Sequence, residues 1–121
     1  MLAYFKYKKD LKGMVKYRDR MYLKLKTVIE VHNIIVEQPS KVDKDVMIAS
    51  IERVDDTIIH YLEELATINK MLQDYREDDS SLNKYSKHIK DNYVALEEEM
   101  KEVLSTLIDC AVGIREQIDL K

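Results

Sequence analysis

Apolar residues recur along the chain in alternating steps of three and four, interrupted twice. In the first stretch Tyr4, Tyr7, Leu11, Met14, Met21, Leu25, Val28 and Ile35 form one line, with Arg18 and His32 in its two remaining positions. Val15, Tyr22, Ile29 and Val36 widen the line on one side, which makes a three-in-seven apolar face suited to a bundle. This spacing predicts a helix over residues 2–37. Gly13, inside it, costs about 1 kcal/mol relative to alanine. Pro39 ends the helix, because a residue before proline is pushed out of the α region. Ser40 then reads as an N-cap, with Asp43 in the capping-box position.

The second stretch, 41–76, carries the cleanest seam: Met47, Ile51, Val54, Ile58, Tyr61, Leu65, Ile68, Leu72 and Tyr75. A 3.5-residue repeat of this length predicts nearly parallel or antiparallel helix packing. Glu77 to Ser81 favours a turn, since Asp and Ser compete for backbone hydrogen bonds. One long helix running through it is the alternative, because the register continues into Leu82 and Ile89. The third stretch, 82–118, places Leu82, Tyr85, Ile89, Tyr93, Leu96, Met100, Val103, Leu107, Cys110, Ile114 and Ile118 on one face. Gly113 is a weak point near its end. The expected architecture is all-α: one domain spanning 1–121, with three long amphipathic helices in an up-down-up antiparallel bundle. Each helix is about 50 Å long. Pairing into a dimer is a further expectation, because so slender a bundle buries less than a sphere.

Composition adds little to the fold but does exclude some functions. Two glycines, one proline and 36% charged residues do not suit a β-protein. Cys110, the only cysteine, cannot form an intrachain disulfide, and a reducing cytoplasmic setting is expected. The longest apolar run is far short of a membrane span, and the first residues do not read as a secretory signal.

Charge is lopsided. Residues 1–26 hold nine Lys or Arg against Asp10 and Asp19, a net +7, while the whole chain is −3, so the remainder carries −10. Lys9, Lys12, Lys16, Arg20 and Lys26 fall on the outer side of the first helix and form a candidate surface for anionic lipid, nucleic acid or an acidic protein. The alternative is that the acids of the other two helices neutralise them. No separate short recognition helix is present, which argues against sequence-specific DNA reading. In the seam, Arg18 and His32 either fix register or partner choice, or reach out to an acid and to the bundle edge.

The chemistry-bearing residues form no convincing catalytic set, and no cofactor or metal is expected. The stretches EELATINKML and EEEMKEVLSTLIDC resemble the paired acidic motifs of MazG-like nucleotide pyrophosphohydrolases. Glu64 and Glu99 match in place, Thr67 stands where a second glutamate belongs, and Glu102 replaces an aspartate. That likeness implies magnesium held by facing carboxylates, with Glu63 and Glu98 nearby. The segment YFKYKKDLKGMVKYRD resembles part of the BAR domains of sorting nexins, which implies binding to anionic membranes. Arg53 and His60 are similar to the Arg-x6-His pair of some all-α ribonucleases. His32, His60 and His88 are scattered, and none follows a Glu by three. The leading expectation is a non-enzymatic bundle that acts by binding another protein, as an adaptor, assembly factor, chaperone or inhibitor.

Overall fold

The computed structural model describes the backbone of residues 2–77 and 84–121, and side chains at 8–71, 73 and 91–121. Helix α1 spans Leu2–Glu37, α2 Lys44–Glu77 and α3 Lys84–Leu120. The described residues contain no strand. The turn expected at 77–81 lies, apart from the helical Glu77, outside the described residues. Helix α3 packs back along α2, so the two are separate helices.

The joint between α1 and α2 differs from expectation. Gln38 N donates the last α1 bond to the Ile34 carbonyl at 3.0 Å, and Pro39–Lys41 form a 3-10 turn. Ser40 lies inside that turn and does not cap α2. Asp43 takes the cap position instead, its carbonyl accepting the Met47 amide at 3.1 Å. Proline's fixed φ suits a tight first turn, and this delays α2 by three residues.

The bundle runs up-down-up, with α3 at its centre. Both α1 and α2 pack along α3, yet they touch each other far less. Two contacts mark the register of α1 on α3. Arg18 Nη1 donates to Glu99 Oε2 at 2.5 Å, and the His32 ring lies against Gly113. Both pairs are 81 positions apart and sit two heptads from each other, so the helices run parallel without slipping. Arg115 donates to Asp55 and Lys121 Nζ to the Val42 carbonyl at 2.6 Å, so α2 runs antiparallel to α3.

The seams face inward. Met14, Met21, Tyr61, Leu65, Ile68, Tyr93, Leu96, Met100, Val103 and Leu107 form one buried cluster. Ile35, Met47, Ile51, Val54, Ala111 and Ile114 form a second. Half-buried Val28 and Ile58 touch both clusters and join them. Cys110 and Ala111 are both buried, so α3 turns two adjacent small residues inward where α1 and α2 flank it. No polar or charged residue is buried among the described ones. The flanking line on α1 is shallower than expected: Tyr22 and Val36 are exposed, because α2 does not close over that side.

Gly113 is a socket for His32. A Cβ there would meet His32 Nε2 at 2.5 Å, whereas one at Gly13 would meet nothing within 4 Å. Gly13→Ala is therefore expected to stabilise by about 0.5–1 kcal/mol, the helix-propensity gain. Gly113→Ala should forfeit that gain and lower the unfolding midpoint. His32→Ala in the same chain should restore it. Equal stabilisation by both glycine variants in urea melts would disprove the socket.

Candidate functional site

The seam residues Arg18 and His32 serve the bundle. Arg18 is half-buried and reaches Glu99 across the α1–α3 boundary, with Asp19 Oδ1 at 3.1 Å. Burial opposes its charge, but hydrogen bonds to Asp19 and Glu99 outweigh that and raise its pKa above the usual value. His32 sits half-buried at the bundle edge, with Nδ1 3.0 Å from Asn33 Oδ1. Both residues lie at the boundary of α1 with α3.

The basic outer face of α1 is exposed. Lys9, Lys12, Lys16, Arg20 and Lys26 are exposed, and none pairs with an acid among the described residues. The Arg20 guanidinium lies 6.0 Å from the Tyr17 ring centre. The described acids of α2 and α3 form no ion pair with this face.

The structure does not bring the acidic motif residues together. Glu99 is held by Arg18, while Glu64 lines the depression between α1 and α2. Among the described residues no three His, Cys, Asp or Glu side chains gather as a metal site. Arg53 and His60 line adjoining depressions, and His60 Nδ1 lies 3.9 Å from Glu63 Oε2. Burial, then Asp109, raises the Cys110 thiol above its ordinary pKa, the reverse of an activated nucleophile.

A second surface was not expected from the seams. Ile59, Leu62, Ile108 and Val112 are large apolar residues with 53, 48, 44 and 48% of their surface exposed. The Asp55–Arg115 pair gives the level of α2 against α3 here, and helical spacing places the four from it. One turn beyond Asp55 lies Ile59, and one turn before Arg115 lies Val112; one further turn places Leu62 level with Ile108. The four therefore form one apolar strip across α2 and α3. Scattered exposed apolar residues are ordinary, whereas a joined strip marks a contact surface. The signal was in the sequence: each of Ile59, Leu62 and Ile108 sits one position past a seam residue, at helical spacing.

Acids rim the strip. Glu52, Asp56 and Glu63 lie on its outer α2 side, and Asp109 and Glu116 on its outer α3 side, all exposed. Glu52, Asp56, Asp109 and Glu116 pair with no cation among the described residues. Compared with protein-family models, with curated proteins and with solved structures, the chain matches none. No described helix is long and apolar enough to cross a membrane.

Proposed function

We propose that this chain is a non-enzymatic adaptor that works by docking another protein on the outer face of α2 and α3. The observation that supports it most is the joined strip of Ile59, Leu62, Ile108 and Val112 inside an acidic rim. Apolar area supplies affinity and the rim selects the sign of the partner. The complementary ligand is a basic amphipathic helix, its apolar residues laid along the strip and its lysines or arginines over Asp56, Glu63, Asp109 and Glu116. A two-fold pairing of this face with itself would set acid against acid, so a homodimer is the weaker use of it. A cytoplasmic setting goes with this reading.

Leu62→Glu and Ile108→Glu alter exposed positions, so the bundle should keep its melting temperature. A photo-crosslinker at residue 62 should capture a protein in the native host, and a peptide of its crosslinked segment should bind the purified chain. Each Glu variant should weaken that peptide at least tenfold, about 1.4 kcal/mol. Unchanged peptide affinity in both variants would refute the reading, and a wild-type dimer dissolved by Leu62→Glu would replace it with self-association.

The unpaired lysines of α1 favour a second reading, attachment to anionic membranes. Each Lys or Arg near such a surface contributes about 1 kcal/mol. Reversing Lys12, Lys16 and Arg20 to Glu should therefore reduce binding to phosphatidylserine vesicles at least a hundredfold, and raised salt should do the same. Cosedimentation that ignores both changes would exclude this reading.

A further inference from the structure

Because α1 and α2 meet α3 more than each other, a furrow runs between them. One depression in it, about 300 Å³, is lined by Lys24, Thr27, Val28 and Val31 of α1 and Ser50, Arg53, Val54 and Thr57 of α2. The floor is aliphatic: Val54 is buried, and Val28 and Val31 are half-buried. Two cations stand at it, one from each helix. Neither Lys24 nor Arg53 pairs with an acid among the described residues. Two cations lining one apolar depression make it favourable to an anion with an apolar tail.

The hydroxyls narrow the ligand. Ser50 Oγ donates to the Val46 carbonyl at 2.8 Å and Thr57 Oγ1 to the Arg53 carbonyl at 2.9 Å. Their protons are spent, so an acidic head group would be held by Lys24 and Arg53 and not by the hydroxyls. Length decides between a chain-like molecule and a docked helix. The aliphatic floor runs beside Lys24 to Val31, seven residues or about 10 Å of helix. At Lys24 and Thr57 the furrow passes into a depression lined also by Tyr17, Met21, His60, Glu63 and Glu64, so charged groups close that end of the aliphatic floor. A helix of several turns would have to bury those charges, whereas a medium alkyl chain ends before them.

We propose that this depression binds a small amphipathic anion, a medium-chain carboxylate being the ligand class. The volume lies at the small end of natural ligand sites. Titration of the ¹⁵N-labelled chain with decanoate, below its micelle concentration, should give saturable amide shifts centred on residues 24–31 and 50–57. Decanol and decylamine should each bind at least tenfold more weakly. Lys24→Glu and Arg53→Glu change exposed residues, and each should weaken decanoate at least tenfold while circular dichroism stays unchanged. Lys24→Gln and Arg53→Gln serve the same purpose should either reversal disturb the fold. Decanol binding as tightly as decanoate, shifts centred on Ile59, Leu62 and Ile108, or no saturable shift would each overturn the assignment.

Discussion

Replacing Leu65 with alanine is expected to destabilise the bundle by about 2–5 kcal/mol. Leu65 is buried within the larger apolar cluster, in the company of Tyr61, Ile68, Leu96 and Met100. Truncation removes the transfer free energy of the lost carbons and leaves a cavity between long, stiff helices. The loss falls at the upper end if α2 cannot move inward, and α2 is held to α3 on both sides of the residue by the seams. A domain of this size has only about 5–15 kcal/mol in total, so the variant should show a large fall in urea midpoint at unchanged slope. Leu107→Ala, on α3 and fully buried, should behave alike. A loss under about 0.5 kcal/mol at Leu65 would mean that the α2 seam does not form the core.

That expectation could be written from the sequence alone, and the reason is physical. Steps of three and four identify the buried face of a helix whatever it packs against, so Met47, Ile51, Val54, Tyr61, Leu65 and Ile68 declared themselves. The pattern does not say which helix covers which. The up-down-up reading did not say that α1 and α2 would each pack mainly on α3 and meet one another only along a furrow. The sequence sign of this was weak: Cys110 followed by Ala111, small residues side by side on the widest face. Gly113 looked like a defect because its role depends on a ring 81 positions away. Ser40 looked like a cap because local chemistry allowed it, but Pro39 drew it into a 3-10 turn.

The surfaces were legible to different degrees for the same reason. The basic face of α1 lies on one element, so its membership follows from a single helical wheel. Whether it is neutralised depends on the arrangement of the other helices, and among the described residues none of its five cations pairs with an acid. The strip of Ile59, Leu62, Ile108 and Val112 needs the relative register of two helices, and that register appears only with the Asp55–Arg115 pair. The cleft at Lys24 and Arg53 needs the gap between α1 and α2, which no periodicity encodes.

Tyr61→Phe is expected to stabilise the protein by about 1–3 kcal/mol, an unusual sign for a core substitution. The ring is fully buried and stacks on Tyr17, with centroids 6.1 Å apart and planes at 21°. Phenylalanine keeps that ring packing. What it removes is a hydroxyl that has no hydrogen-bond partner among the described residues and gives up hydration for nothing. The same burial, with Tyr17 as a lesser cause, raises the Tyr61 phenol well above its ordinary 10.0. The folded chain thus retains a proton that the unfolded chain releases above about pH 10. Stability from this group is whole below that pH and falls as pH rises, by up to about 1.4 kcal/mol per pH unit. Tyr61→Phe should therefore raise the melting temperature at pH 7 by at least roughly 3 °C and flatten the loss between pH 10 and 11. A lower melting temperature at pH 7 with an unchanged alkaline slope would show that the hydroxyl is bonded in solution and that its burial is compensated.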